Sequence, residues 1–218
     1  MKINFPILDE SLDLESVPFL VLKSSELFSK TVQDLYRYGD EESSIQIFNK
    51  QYVDLKKQQL IMVTDILGFD INTTPVLKMV YEEFETQLND NPEEKTKLEL
   101  TIEELTDLLR VEMLENDLDL TLTPISIKEL LKAFHVKIET TSNTIFEKML
   151  EIIQITQYLK NKKMLVFVNA TAYLNQQELR SLVEYASLNS VQLLCIERNS
   201  VEGFPNYEID EDYFVTKK

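Results

Sequence analysis

Asp117 and Asp119 alternate with Leu118 and Leu120 in the run ENDLDLTLT, and carboxylates repeated in this way are what a hard divalent cation takes as ligands. Glu112, Glu115 and Asn116 stand just before them, at the end of a helical repeat. If Asp117 to Leu122 is extended, Leu118, Leu120 and Leu122 are buried on one side and the two aspartates stand together on the other. Like charges so placed repel, and a helix C-terminus is unfavourable for more of them, so some compensation is expected. Calcium would supply it through roughly six to eight oxygens in a flexible arrangement. Solvent would supply it with no structural demand, and acidic surface runs are commonly just solvated. Spacing alone leaves both open. The run is not an EF-hand, because it lacks the glycine and the distal glutamate of that loop.

A second group of carboxylates lies in DNPEEK, where Asp90, Glu93 and Lys95 have the residue types of a magnesium-dependent nuclease. The same residues are accounted for by an Asn-Pro helix start, whose first turn favours negative charge. Other catalytic chemistry lacks its parts. Gly39, Gly68 and Gly203 are the three glycines, and neither a phosphate-cradling loop nor a dinucleotide fingerprint occurs. His135 is the one histidine, so multi-histidine metal sites and Ser-His-Asp catalysis are excluded; its apolar neighbours place it as a packed residue. Cys195 has no partner for a disulfide and suits a reducing compartment.

Charge is the strongest compositional signal. Net charge is −16, from 38 acidic and 22 basic residues, and such a field repels phosphate backbones and anionic membranes. It is unevenly spread. Glu99 to Leu122 carries eight acids against Arg110 alone, whereas Ile125 to Lys163 carries Lys128, Lys132, Lys137, Lys148, Lys160, Lys162 and Lys163 against four glutamates. Lys128 and Lys132 lie four apart on one helical face, with Lys137 just beyond. Copies assembled with this segment inward would line a basic interior within an acidic shell, and DNA could bind despite the net charge.

The elements that must position these groups are α/β. PFLVLKSS, KMLVFVN and SVQLLCIE have the continuous apolar character of strands buried on both faces of one parallel sheet. SELFSKTVQDLYRYG makes a helix ending near Gly39, and Asn175 with Glu178 makes a capping box for another. SSIQIFN alternates like an antiparallel strand and QQLIMV begins as one; both are expected to extend the sheet at one side. Between them Thr74-Pro75 and Asn91-Pro92 open two long helices as N-cap and first residue, the second with a stripe of Leu98, Ile102, Leu105 and Leu109. Ser126 with Glu129 caps a short helix, after which VKIE is expected to return to the sheet. The expected organisation is an α/β head over residues 1–66 and 139–218, interrupted by a mainly helical extension over 67–138. No apolar run is long enough to span a bilayer, and MKINFPILDESLDLE lacks an export pattern, so a cytoplasmic location is expected.

The blocks MKINFPILDE, YRYGDE, LIMVTDILGFDIN, ENDLDL, VKIETTSNTIFEKMLEI, LVFVNATAYL and DEDYFV strongly resemble the small CRISPR-associated spacer-acquisition protein of type II-A loci, from Met1 to nearly the last residue. The resemblance implies a head similar to P-loop ATPases that has lost the nucleotide-binding motif, as LKSSELFSK fits, with a helical extension inserted in it. It implies a homotetrameric ring that binds calcium and threads double-stranded DNA ends through a positively lined hole. Such a protein has no catalytic activity of its own and assists the CRISPR integrase and RNA-guided effector nuclease. Calcium would then fall to Glu115, Asp117 and Asp119, and DNA to Lys128, Lys132 and Lys137. A carboxylate-metal nuclease and a protein-only scaffold are the alternatives.

Overall fold

Phe19–Leu22, Met164–Val168 and Gln192–Glu197 are strands with almost every residue buried, and they lie side by side at the centre of one sheet. The computed structural model describes residues 1–8, 10–41, 43–159 and 162–218; Lys160 of the basic segment lies outside them. Strands in chain order are β1 (Lys2–Asn4), β2 (Leu12–Asp13), β3 (Phe19–Leu22), β4 (Gln46–Phe48), β5 (Leu60–Val63), β6 (Met164–Val168), β7 (Gln192–Glu197), β8 (Asn206–Ile209) and β9 (Val215–Lys217). Helices are α1 (Ser25–Tyr36), α2 (Thr74–Asn89), α3 (Pro92–Met113), α4 (Ile127–Ala133), α5 (Ile145–Tyr158) and α6 (Gln176–Leu188). The chain divides into two compact units, Met1–Phe69 with Thr140–Lys218, and Asp70–Glu139.

The first unit is α/β. Its six-stranded sheet has the order β5-β6-β7-β3-β8-β9 and is parallel except for β9, which pairs antiparallel with β8. Alternation splits the strands into two faces. Leu20, Leu22, Val166, Leu194, Ile196 and Ile209 share a core with Leu27 and Leu35 of α1 and with Ile3 and Ile47 of a second, small sheet. On the other side α6 lies against β7 and α5 against α6. The capping box of α6 forms as expected: Glu178 N–H donates to Asn175 Oδ1 at 3.0 Å, and Asn175 N–H to Glu178 Oε2 at 2.9 Å. Gly39 has φ +82° and a Cβ there would stand 2.9 Å from Lys57 Cβ, so the turn after α1 favours glycine on both counts.

SSIQIFN does not extend the main sheet. β5 does extend the main sheet, but β4 pairs antiparallel with β1 in a separate three-stranded sheet, β2-β1-β4. Tyr38 helps to hold it there, its hydroxyl donating to Ile47 O at 3.2 Å and Leu55 O at 2.7 Å. An alternating pattern states that one face of a strand is buried, and carries no information about which strand lies beside it.

Glu197 closes β7 at 1% exposure. Its carboxylate accepts the Thr171 backbone N–H at 3.2 Å and the Thr171 hydroxyl. Burial is the largest influence and pushes the carboxyl above its ordinary 4.5, while these hydrogen bonds pull it back. A carboxyl raised on folding contributes stability that is complete below the unfolded pKa and is lost as pH rises through the folded one. Relative to Glu197→Gln, the wild-type Tm is therefore expected to fall as pH rises from about 4.5, levelling off once the folded group has ionised. A difference that stays constant between about pH 4 and 7 would show that folding leaves the Glu197 carboxyl unshifted.

The second unit is helical. α2 and α3 are joined by Asp90 and Asn91, and α4 packs on α2. Its small core is Tyr81, Ile127 and Leu131, with Leu77, Val80, Leu88 and Leu98 partly buried against it. α2 starts one residue earlier than expected: Thr73 is the N-cap and Pro75 the second residue, a position whose N–H has no partner within the helix in any case. VKIE forms no strand; instead the Asn72 amide accepts from Ile138 N–H at 2.8 Å and donates to Ile138 O at 3.1 Å, tying the two ends of the unit together. Among the described residues no helix is long and apolar enough to cross a membrane.

Candidate nucleic-acid interface

The three lysines singled out from sequence all lie in the helical unit. Lys128 and Lys132 sit on α4, whose N-terminus is built by Ser126: its hydroxyl accepts Glu129 N–H at 3.2 Å, and its own N–H donates to Glu129 Oε2 at 2.8 Å. Those bonds from Ser126 hold the Glu129 carboxyl below the usual range, so it stays ionised in the first turn, where the helix dipole favours it. Lys128 Nζ is 2.8 Å from Glu85 Oε2 on α2, which pushes the ammonium pKa upward. Lys137 follows α4 in irregular chain and is exposed.

Packing of α4 on α2 adds a residue that sequence reasoning missed. Lys78 of α2 joins Lys128 and Lys132 around one cavity of about 380 Å³. Leu77 and Tyr81 supply its apolar surface, and Tyr81 at 5% exposure directs its hydroxyl to Val136 O at 2.8 Å. The signal was present in outline, since Thr74, Leu77, Lys78 and Tyr81 share a helical face. What sequence could not supply was that α4 packs against that face. Lys137 does not line this cavity.

The rest of the basic segment is used differently. Lys148 pairs with Glu151 at 3.5 Å with both side chains mostly buried, and Lys162 donates to Gln58 O at 2.6 Å while burial lowers its pKa. These lysines belong to the α/β unit, so the segment from Ile125 to Lys163 contributes to two separate bodies. His135 is another correction: it is exposed, with φ +52°, as the residue that ends α4. His135 N–H bonds to Lys132 O and Val136 N–H to Leu131 O, each at 3.0 Å, the pattern of a Schellman motif, so its role is backbone termination.

The acidic run also departs from expectation. Asp117 to Leu122 forms no strand, and Leu118, Leu120 and Leu122 are 70%, 47% and 37% exposed. The unit that carries the run contains no described strand. Glu115, Asp117 and Asp119 are all exposed, with Asn116 Oδ1 accepting Leu118 N–H at 3.0 Å. Among the described residues no three of His, Cys, Asp and Glu converge as a metal site. The donors have the chemistry calcium takes, but this arrangement is not a ready-made cage. Asp90 is the C-cap position of α2, Glu93 lies in the first turn of α3, and Lys95 Nζ donates to Asn89 Oδ1 at 2.9 Å, so the residues of the nuclease alternative sit at the junction of the two helices.

α3 exposes much of its stripe. Leu98 and Ile102 are half-buried, whereas Leu105 is 50% and Leu109 48% exposed. Leu108, Val111 and Leu114 are exposed beside them.

The chain is similar to known proteins. Residues 37–213 match the family model described as CRISPR-associated protein (Cas_Csn2). The chain is 41% identical over 216 residues to "CRISPR-associated protein Csn2" of Enterococcus faecalis, covering 99% of this chain and 98% of that one. It is 43% identical over 215 residues to the protein of the same name from Streptococcus agalactiae, covering 99% and 97%. Among solved structures it is similar in fold to Stu0660 of Streptococcus thermophilus, with a TM-score of 0.64 at 13% identity, over 100% of this chain and 76% of the other.

Proposed function

This chain belongs to the Cas_Csn2 family of CRISPR-associated proteins, and on that premise we propose that it assists spacer acquisition as a non-catalytic, ring-forming binder of double-stranded DNA ends. The observation that carries the reading is the gathering of Lys78, Lys128 and Lys132 at one place in a chain of net charge −16. Contacts of this kind go to phosphates and carry little sequence information, as a binder of arbitrary DNA ends requires. The ring is a homotetramer in the cytoplasm, working with the CRISPR integrase and the RNA-guided effector nuclease. The head descends from a P-loop ATPase-like sheet, a reading supported by the central position of β3 and by the glycine-free turn LKSSELFSK that follows it.

Self-association is supported by the exposed leucines of α3. Leu105→Asp with Leu109→Asp is expected to reduce the sedimentation mass from tetramer toward smaller species, and an unchanged mass would move the interface elsewhere. Calcium is assigned to Glu115, Asp117 and Asp119 by the resemblance and by their oxygen donors. Because they do not converge beforehand, the residues around 114–126 must rearrange as the ion binds. Calcium in hundredfold excess over its Kd is expected to raise Tm by roughly 5 °C or more, and Asp117→Asn with Asp119→Asn to remove most of that rise. An equal rise in both proteins would place the ion at other ligands.

The test of function is a gel-shift titration of linear duplex against covalently closed circles, with calcium and with chelator. Calcium-dependent binding of intact linear DNA alone is expected. Cleavage in magnesium that Asp90→Ala or Glu93→Ala abolishes would instead establish the nuclease alternative, and no shift with either DNA would leave a protein-only scaffold.

A further inference from the structure

The cavity between α2 and α4 combines two chemistries that phosphate contact alone does not need. Lys78, Lys128 and Lys132 border it together with Glu82, and its inner surface is apolar, from Leu77, from Tyr81 with its hydroxyl already bonded to Val136 O, and from the methylene stems of the lysines. At about 380 Å³ it lies near the small end of the roughly 300–1,000 Å³ typical of small-molecule sites, so it admits one nucleotide and excludes a duplex. Two of the ammoniums already face carboxylates, Lys78 at 4.0 Å from Glu82 and Lys128 at 2.8 Å from Glu85. The rim therefore carries three positive charges against two negative ones, and the remaining charge matches one phosphodiester. In the interior of double-stranded DNA every base face is stacked on its neighbours, and the free outer face of a blunt end belongs to a whole base pair, too large for this cavity. An unpaired terminal nucleotide is the place where a flat apolar face is available next to a single phosphate.

We propose that this cavity seats the unpaired terminal nucleotide of a DNA end, its base against Leu77 and Tyr81 and its phosphate at the lysine rim. The assignment rests on the DNA-end binding proposed above and adds the form of end that is bound. A nucleotide that is already single-stranded has no pairing to give up, so ends with a short overhang are held more tightly than blunt ones.

The test compares three linear duplexes of equal length: blunt, with a two-nucleotide overhang, and with that overhang abasic at its terminal position. The overhang is expected to bind at least about fivefold more tightly than the blunt end, in keeping with the stacking of one base, and the abasic form to lose that gain. Leu77→Ala should lose the preference for the overhang over the blunt end. Since Leu77 also packs in the core of its unit, a second measurement uses the unaltered protein: 2-aminopurine at the overhang terminus changes its emission on binding, and internal 2-aminopurine does not. Equal affinity for blunt and overhanging ends, or an overhang preference that survives loss of the terminal base, overturns the proposal and leaves end binding standing. Tight binding of deoxyadenosine monophosphate without DNA would make the cavity a free-nucleotide site and also overturn it. Failure to bind any of the duplexes removes both this assignment and the reading beneath it.

Discussion

Replacing Lys128, Lys132 and Lys137 together by glutamine is expected to weaken binding to linear duplex by on the order of 100-fold at low salt, with the fold intact. Each lysine that neutralises a phosphate releases a condensed counterion, so the variant should also show a plot of log affinity against log salt shallower by about 3 per chain. The two readouts distinguish direct contact from indirect damage. A lost structural support would lower affinity at every salt concentration and leave the slope alone. Lys132 and Lys137 are exposed, and the Lys128 pair with Glu85 is partly exposed, so glutamine at these positions removes charge while disturbing little packing. Circular dichroism unchanged from wild type, together with unchanged affinity, would send the search for contacts to other cations.

Phe167→Ala should cost about 3–5 kcal/mol and lower Tm by roughly 10 °C, the largest single-site effect on stability expected here. Phe167 is fully buried on β6, between Val63 of β5 and Cys195 of β7. Removing its ring takes away transfer free energy and leaves a void that a sheet hydrogen-bonded on both sides of β6 cannot easily close. Phe167→Leu keeps more of the volume and should cost less than about 1.5 kcal/mol. Since domains of this kind hold roughly 5–15 kcal/mol in all, the alanine variant removes a large share. Denaturant unfolding followed by far-UV circular dichroism checks it through the midpoint, provided the slope stays constant. A loss below about 1 kcal/mol would mean that α5 and α6 settle into the space, and that the centre of the sheet is less rigid than its burial indicates.

Much of the α/β unit was legible because its signals are local. β3, β6 and β7 are apolar without interruption, and a strand buried on both faces needs that whatever its neighbours are. Ser126 with Glu129 and Asn175 with Glu178 cap their helices through residues three apart. The box of Thr144 with Glu147 on α5 was equally visible in principle. β8 was harder to see, because Asn206 and Glu208 place polar groups on one of its faces while Tyr207 and Ile209 face the core. Site residues were legible as types and not as a constellation. The lysines of α4 stood out by charge, whereas Lys78 is fifty residues away in sequence from Lys128 and becomes its neighbour through packing alone.

By itself the sequence determined the strands at the centre of the sheet, the caps of α4 and α6, the acidic character of the chain and, through its blocks of resemblance, the family. Each of these depends on residues within a few positions of one another, or on composition, and the chain path does not alter them. Tertiary structure decided what lies beside what. β4 joined β1 in a second sheet, the leucines after Asp117 stayed exposed in a unit without described strands, and half of the α3 stripe stayed exposed. Lys78, Lys128 and Lys132 came together over Leu77 and Tyr81 because α4 packs on α2, with Ile127 and Leu131 burying their side chains in the core that holds Tyr81. Burial is the free energy of two surfaces meeting, and hydrophobic periodicity specifies only one of them.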